Sequence, residues 1–195
     1  MAEIVLLHSA LGLRRGVEVA AGILRDAGHI IHAPDYYDGE VFDELDAGLR
    51  KRDAVTYPEL FRRWKEIGEG VVRPVVFAGF SLGALGAQFL AATHPMARGA
   101  LLFHSGVPVR EVTDGGWPSG VPVQVHYTEG DPFVEEKEIA ELRTDVGEGF
   151  ERFVYPGDAH LFADPDLPGY SADSAVLMWR RVLDVLSRES PDKRL

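Results

Sequence analysis

Cysteine is missing from all 195 residues. Its absence excludes disulfides, thiolate nucleophiles and cysteine-built zinc sites together. Positive charge is scarce too: 20 Lys and Arg stand against 31 Asp and Glu, a net charge of -11. An imbalance of that size repels phosphate backbones and anionic lipid, so neither nucleic acid nor a membrane is expected as a partner. No apolar run approaches the roughly 20 residues of a membrane-spanning helix. Met1-Ala2-Glu3 carries no basic residue, and the run from Ile4 to Leu7 is too short for a signal-peptide core. A cytoplasmic protein is expected. The seven histidines show no HExxH or comparable spacing, so no metal is expected. Nothing in the pattern sets an oligomeric state.

The residues that are present fit an ordinary globular protein, 46% hydrophobic and 26% charged. One domain over residues 1–190 is expected, with a polar tail at 191–195 that frays. Short β-branched runs recur with amphipathic stretches between them. Strands are predicted at Glu3 to Leu7, His29 to His32, Pro74 to Ala78, Ala97 to Phe103, Val121 to Tyr127 and Glu151 to Tyr155. Helices are predicted at Arg14 to Ala27, near Glu40 to Leu49, and at Pro58 to Gly68, Leu82 to Thr93, Pro132 to Asp145 and Ser171 to Ser187. In the last of these, Val176, Trp179, Leu183 and Leu186 are expected to share one face. Six strands alternating with helices imply a mostly parallel sheet covered on both faces. Active sites in such α/β sheets gather where loops leave the carboxyl ends of the strands.

At one such end stands Gly79-Phe80-Ser81-Leu82-Gly83, a G-x-S-x-G with an apolar strand before it and an Ala-rich helix after it. An abrupt strand-to-helix turn holds a nucleophile in a strained conformation, and glycines on either side remove clashes with neighbouring backbone. Asp131 follows the fifth strand, and His160 lies on the loop after the sixth. The order Ser81, Asp131, His160 is that of α/β-hydrolases. A nucleophilic serine needs a base, and the base an orienting carboxylate. The simpler explanations are a tight turn at Ser81, a helix cap at Asp131 and a surface histidine at His160. Asp114, deep in a Gly-rich loop, and Asp158, two residues from His160, are weaker acids. His8, His94 and His104 are rival bases; His94 ends the helix that begins at the serine, so it belongs at the far end of the sheet. The oxyanion hole is expected from the backbone N–H groups of Leu82 and Ala10. Ser9, Tyr36, Tyr37, His104, Phe133 and Phe162 are expected to contact substrate.

Leu6-Leu7-His8-Ser9-Ala10-Leu11-Gly12, Ala33-Pro34-Asp35-Tyr36-Tyr37, the serine turn, Tyr155-Pro156-Gly157-Asp158-Ala159-His160 and Pro168-Gly169-Tyr170 together resemble the dienelactone hydrolase family, over nearly the whole chain. The resemblance implies a compact α/β-hydrolase without a large lid domain and a strand order of 2-1-3-4-5-6. It also implies hydrolysis of a small-molecule ester, lactone or thioester, with no cofactor. Three positions depart from the family. Ser81 replaces its cysteine nucleophile, Ser9 replaces a glutamate that interacts with that thiol, and Asp164 replaces an arginine that binds the substrate carboxylate. An aspartate there would repel a carboxylate, so a neutral or cationic ester is expected instead of dienelactone. Two other readings use the same residues: acyl transfer or cofactor-free perhydrolysis, and a hydrolase fold kept as a binding module.

Overall fold

The computed structural model describes residues 1–188; the tail expected at 191–195 lies outside the described residues. Six strands form one parallel sheet: β1 (Glu3–Leu7), β2 (Ile30–His32), β3 (Val75–Phe80), β4 (Ala97–Phe103), β5 (Val123–Thr128) and β6 (Phe150–Tyr155). Their spatial order is β2-β1-β3-β4-β5-β6, as the family resemblance implies. The α/β-hydrolase sheet is therefore complete without a lid domain. Register aligns the strand ends, pairing Leu7 with Gly79, Phe80 with Phe103, and Thr128 with Tyr155.

Alternation along the strands divides the core in two. On one face Val5, Leu7, Phe77, Leu102 and Val125 pack under α3 (Tyr57–Glu69), α4 (Leu82–Thr93) and α5 (Glu136–Val146). On the other, Ile4, Leu6, Val76, Leu101 and Phe103 pack under α1 (Arg15–Asp26) and α6 (Ala172–Arg188). Central β3 is buried at all six positions, which is why it reads as a continuous apolar run. Among the described residues no helix is long and apolar enough to cross a membrane.

Three elements differ from expectation. The helix anticipated near Glu40 to Leu49 is α2, Leu45–Val55. The chain before it runs across the loop that follows β1, where Phe42 N–H donates to Leu11 O at 2.9 Å and a Cβ on Gly12 would lie 2.2 Å from Glu40 O. Helix α5 starts at Glu136 and not Pro132, because Asp131 to Glu135 form a turn in which the Asp131 carboxylate accepts from Phe133 N–H at 2.9 Å. In α6 the buried stripe is Ala175, Met178, Trp179, Val182 and Leu186, at helical spacing, and Val176 is 60% exposed.

Candidate active site

Ser81 joins β3 to α4 with φ 52° and ψ -111°, a conformation side chains avoid. Two close backbone approaches hold it there. A Cβ on Gly79 would sit 2.1 Å from Gly83 O, and one on Gly83 would sit 2.4 Å from both Leu7 O and His8 O. Only glycine at these two positions permits the turn. Ser81 N–H donates to Phe103 O at 2.7 Å, fixing the turn against the neighbouring strand end.

Loops from two further strand ends bring the partners. Gly130 N–H donates to Gly157 O at 2.9 Å, and Thr128 Oγ1 to Ala159 O at 3.1 Å, tying the loop after β5 to the loop after β6. Across that tie, His160 Nδ1 lies 2.9 Å from both carboxylate oxygens of Asp131. His160 Nε2 lies 2.8 Å from Ser81 Oγ. The carboxylate side chain is fully buried and the imidazole nearly so. With Nδ1 facing a carboxylate, the ring carries its hydrogen there, and Nε2 is left to accept from the serine hydroxyl. The three residues therefore form one hydrogen-bonded line.

This line opens into a cleft of about 160 Å³ that Ala10, Leu82, His104 and Phe133 also line. Leu82 is the first residue of α4, so its N–H has no acceptor within the helix. Ala10 N–H meets no acceptor among the described residues. Phe133 is half exposed, its ring 4.6 Å from that of His160. His104 is buried at φ 62°, 6.0 Å from the His160 ring, and neither of its ring nitrogens has a partner among the described residues. Burial, then the neighbouring His160 and His126, hold its pKa well below the usual histidine value.

The remaining expected contacts lie elsewhere. Tyr36 and Tyr37 are core residues, not cleft walls. Phe162 is fully buried behind His104, its ring 4.8 Å away and edge-on. Ser9 turns its hydroxyl back to accept Leu11 N–H at 3.1 Å. Among the rivals, Asp114 and Asp158 are exposed loop residues. His94 accepts Met96 N–H at the far end of the sheet, and His8 is held by neighbouring backbone. Among the described residues no three His, Asp or Glu side chains are grouped to hold a metal ion. A second cavity, about 170 Å³, opens at the amino ends of β3 to β5 and contains none of these residues.

Charge in the cleft differs most from expectation. Asp164 is absent from its lining: its carboxylate packs over Gly16 at the start of α1, 3.9 Å from the Arg14 guanidinium. A helix N-terminus favours a carboxylate, so the residue has a structural role there. The charged side chain on the cleft wall is Arg52, 5.7 Å from the Tyr57 ring and paired with Asp53 at 2.6 Å. No motif marks Arg52 or Tyr57 in the sequence; Thr56, at φ 74°, folds α2 against α3 and brings them together.

A family model described as the dienelactone hydrolase family matches residues 1–190. No curated protein matches it. Among solved structures, a Klebsiella pneumoniae subsp. pneumoniae protein assigned provisionally as a dienelactone hydrolase is 18% identical, with 96% of this chain and 87% of that one covered at a TM-score of 0.77. A dienelactone hydrolase-like promiscuous phosphotriesterase from metagenomic libraries is 23% identical, with 96% and 86% covered at 0.74. A cold-adapted esterase from an Arctic intertidal metagenomic library is 20% identical, with 96% and 82% covered at 0.66. At these identities the likeness is one of fold.

Proposed function

Since the chain belongs to the dienelactone hydrolase family, we propose that it is a serine hydrolase cleaving a small ester, lactone or thioester through an acyl-enzyme. His160 takes the Ser81 proton as Oγ attacks the acyl carbon. The N–H groups of Leu82 and Ala10 receive the oxyanion. Asp131 holds the imidazole tautomer and stabilises its charged form. The alcohol leaves with the proton from His160, and water then attacks the acyl-enzyme with His160 again as base. The observation that carries this reading is the unbroken line Ser81–His160–Asp131, at 2.8 and 2.9 Å. A binding module has no use for that line. A fluorophosphonate probe is expected to label the wild type on Ser81 and to leave Ser81→Ala unlabelled. Absence of wild-type labelling, where a control esterase reacts, would favour the module. Hydrolysis is separated from acyl transfer or perhydrolysis by product analysis with alcohol or peroxide competing against water.

Arg52 on the cleft wall favours an ester that carries an anionic group, in place of the neutral or cationic one that Asp164 suggested. A charge-assisted hydrogen bond contributes about 1.5–3 kcal/mol. Arg52→Gln is therefore expected to raise KM about tenfold or more for an ester bearing a free carboxylate, and to leave a neutral ester of the same size within about twofold. Equal effects on both esters would remove Arg52 from substrate recognition.

A further inference from the structure

The peptide unit between Ser9 and Ala10 is rigid and planar, so the Ser9 carbonyl and the Ala10 N–H point in opposite directions from one plane. Whatever grips Ser9 O therefore aims the Ala10 N–H. Two donors grip it: Gly12 N–H at 3.1 Å and His8 Nδ1 at 2.8 Å. Gly12 is a turn residue at φ 85° and acts through backbone alone. His8 is a side-chain handle on the same carbonyl.

The His8 ring has little freedom. It is fully buried and stacks on Tyr36, with centroids 3.7 Å apart and planes 8° from parallel. Its Nε2 faces Tyr36 N–H at 3.3 Å, and the Asp35 carboxylate oxygen 3.4 Å from the same nitrogen is already engaged by Tyr37 N–H at 2.8 Å. A nitrogen facing an N–H accepts, and a nitrogen facing a carbonyl donates, so the hydrogen sits on Nδ1. Burial also lowers its pKa to about 4, which keeps the neutral form at ordinary pH. Tyr36 grips the preceding peptide as well, its hydroxyl donating to His8 O. Tyr36 is fixed in turn by Arg63, whose guanidinium donates to Tyr36 O at 2.9 Å from α3.

We propose that His8 and Tyr36 are positioning residues for the oxyanion hole: they hold the loop after β1 by two successive carbonyls and so aim the Ala10 N–H into the cleft beside Ser81. Neither residue lines the cleft, and both act through the Ser9–Ala10 peptide. The proposal rests on the serine hydrolase reading, because only an acyl oxyanion makes the aim of that N–H matter. It also gives Tyr36 a role that its burial denies it as a substrate contact.

Steady-state kinetics of a p-nitrophenyl ester and inhibition by a trifluoromethyl ketone, which forms a tetrahedral adduct with an active-site serine, test this on the folded variants. Losing an oxyanion donor costs about 10²–10³ in kcat, and a misaimed one costs less. His8→Leu removes the Nδ1–H donor while filling the space. It is expected to lower kcat about 10- to 100-fold with KM within threefold, and to weaken the ketone by a similar factor. His8→Asn, whose amide N–H can reach the same carbonyl, is expected to recover most of both. Tyr36→Phe keeps the stacked ring and loses only the hydroxyl, so it folds even where His8→Leu does not; kcat is expected to fall about fivefold at unchanged KM. Variants that lose stability yet keep wild-type kcat and ketone affinity would overturn the proposal, as would a loss in KM alone. A wild type that hydrolyses no ester and takes no fluorophosphonate would overturn the serine hydrolase reading itself, a separate outcome.

Discussion

Replacing Asp131 with asparagine is expected to lower kcat by about 10⁴-fold and to leave KM near its wild-type value. The expectation follows from which atom of His160 carries the hydrogen. In the wild type both Asp131 oxygens face Nδ1 at 2.9 Å and can only accept, so the hydrogen stays on Nδ1 and Nε2 is free for Ser81. One of those oxygens, Oδ1, also accepts Phe133 N–H at 2.9 Å. An asparagine keeps its carbonyl on Phe133 N–H and therefore turns its amide N–H toward the imidazole. Nδ1 then becomes the acceptor and Nε2 carries the hydrogen, aimed at the serine oxygen. Such a ring cannot take a proton from Ser81.

Because Asp131 is absent from the cleft lining, ground-state binding has no reason to change. Fluorophosphonate labelling should slow in parallel with ester hydrolysis, since both begin with deprotonation of Ser81. Matching kcat, KM and labelling rates for Asp131→Asn and wild type settles the matter. A loss of less than tenfold would mean that the carboxylate does not govern the tautomer and that His160 is oriented by other contacts, Phe133 among them.

What the sequence reveals of this site follows steric necessity. Gly79 and Gly83 are legible because no other residue fits within 2.1 and 2.4 Å of backbone oxygens, and because a continuous apolar strand precedes them and an Ala-rich helix follows. Asp131 and His160 are legible because a parallel sheet delivers every post-strand loop to the same end. Tyr36 and Tyr37 mislead for a different reason. An aromatic pair after Asp35 reads the same whether it faces a cleft or the core, and only the crossing of α3 with its Trp64, 5.9 Å from Tyr36, decides for the core. Asp164 misleads through an offset. Four residues after the histidine is the expected place, but Leu161 takes φ 60° and Asp164 N–H bonds back to Leu161 O at 2.9 Å. That turn carries the carboxylate past the cleft to α1. Arg52 escapes notice because a cleft wall made at a helix–helix corner leaves no spacing to find.

Stability should fall steeply with acid, by roughly 6 kcal/mol between pH 7.5 and 5. Three buried histidines are responsible. Desolvation lowers His8 to about 4 and His126 to about 3, and lowers His104 well below its ordinary 6.5. Only His8 has an opposing anion close by, Asp35 at 3.4 Å. His126 faces the Arg181 guanidinium and the Tyr155 hydroxyl, and His104 faces His160 and His126. All three folded-state values lie below the unfolded one. The unfolded chain therefore takes up protons first as pH drops: stability is full above about 6.5 and is lost as pH falls toward the folded pKa values. Each group contributes about 1.4 kcal/mol per pH unit within that window, a large share of the 5–15 kcal/mol that holds an ordinary domain together. His29, lowered by partial burial and the N-terminal amine, acts in the same direction. Carboxylates such as Glu59 and Glu141 are also lowered, but from an ordinary 4.5, so their loss begins only below this range. Urea unfolding at pH 7.5, 6.5, 5.5 and 5 measures the slope. His104→Asn tests its origin, because asparagine tolerates the φ of 62° and does not titrate. No hydrogen bond within the described residues is lost with the ring, since neither nitrogen has a partner among them. Whatever its stability at pH 7.5, the variant should lose about one third of the acid slope. A slope unchanged in His104→Asn would show that this histidine takes up its proton in the folded protein as readily as in the unfolded chain, and a wild type of constant stability down to pH 5 would show it for all three.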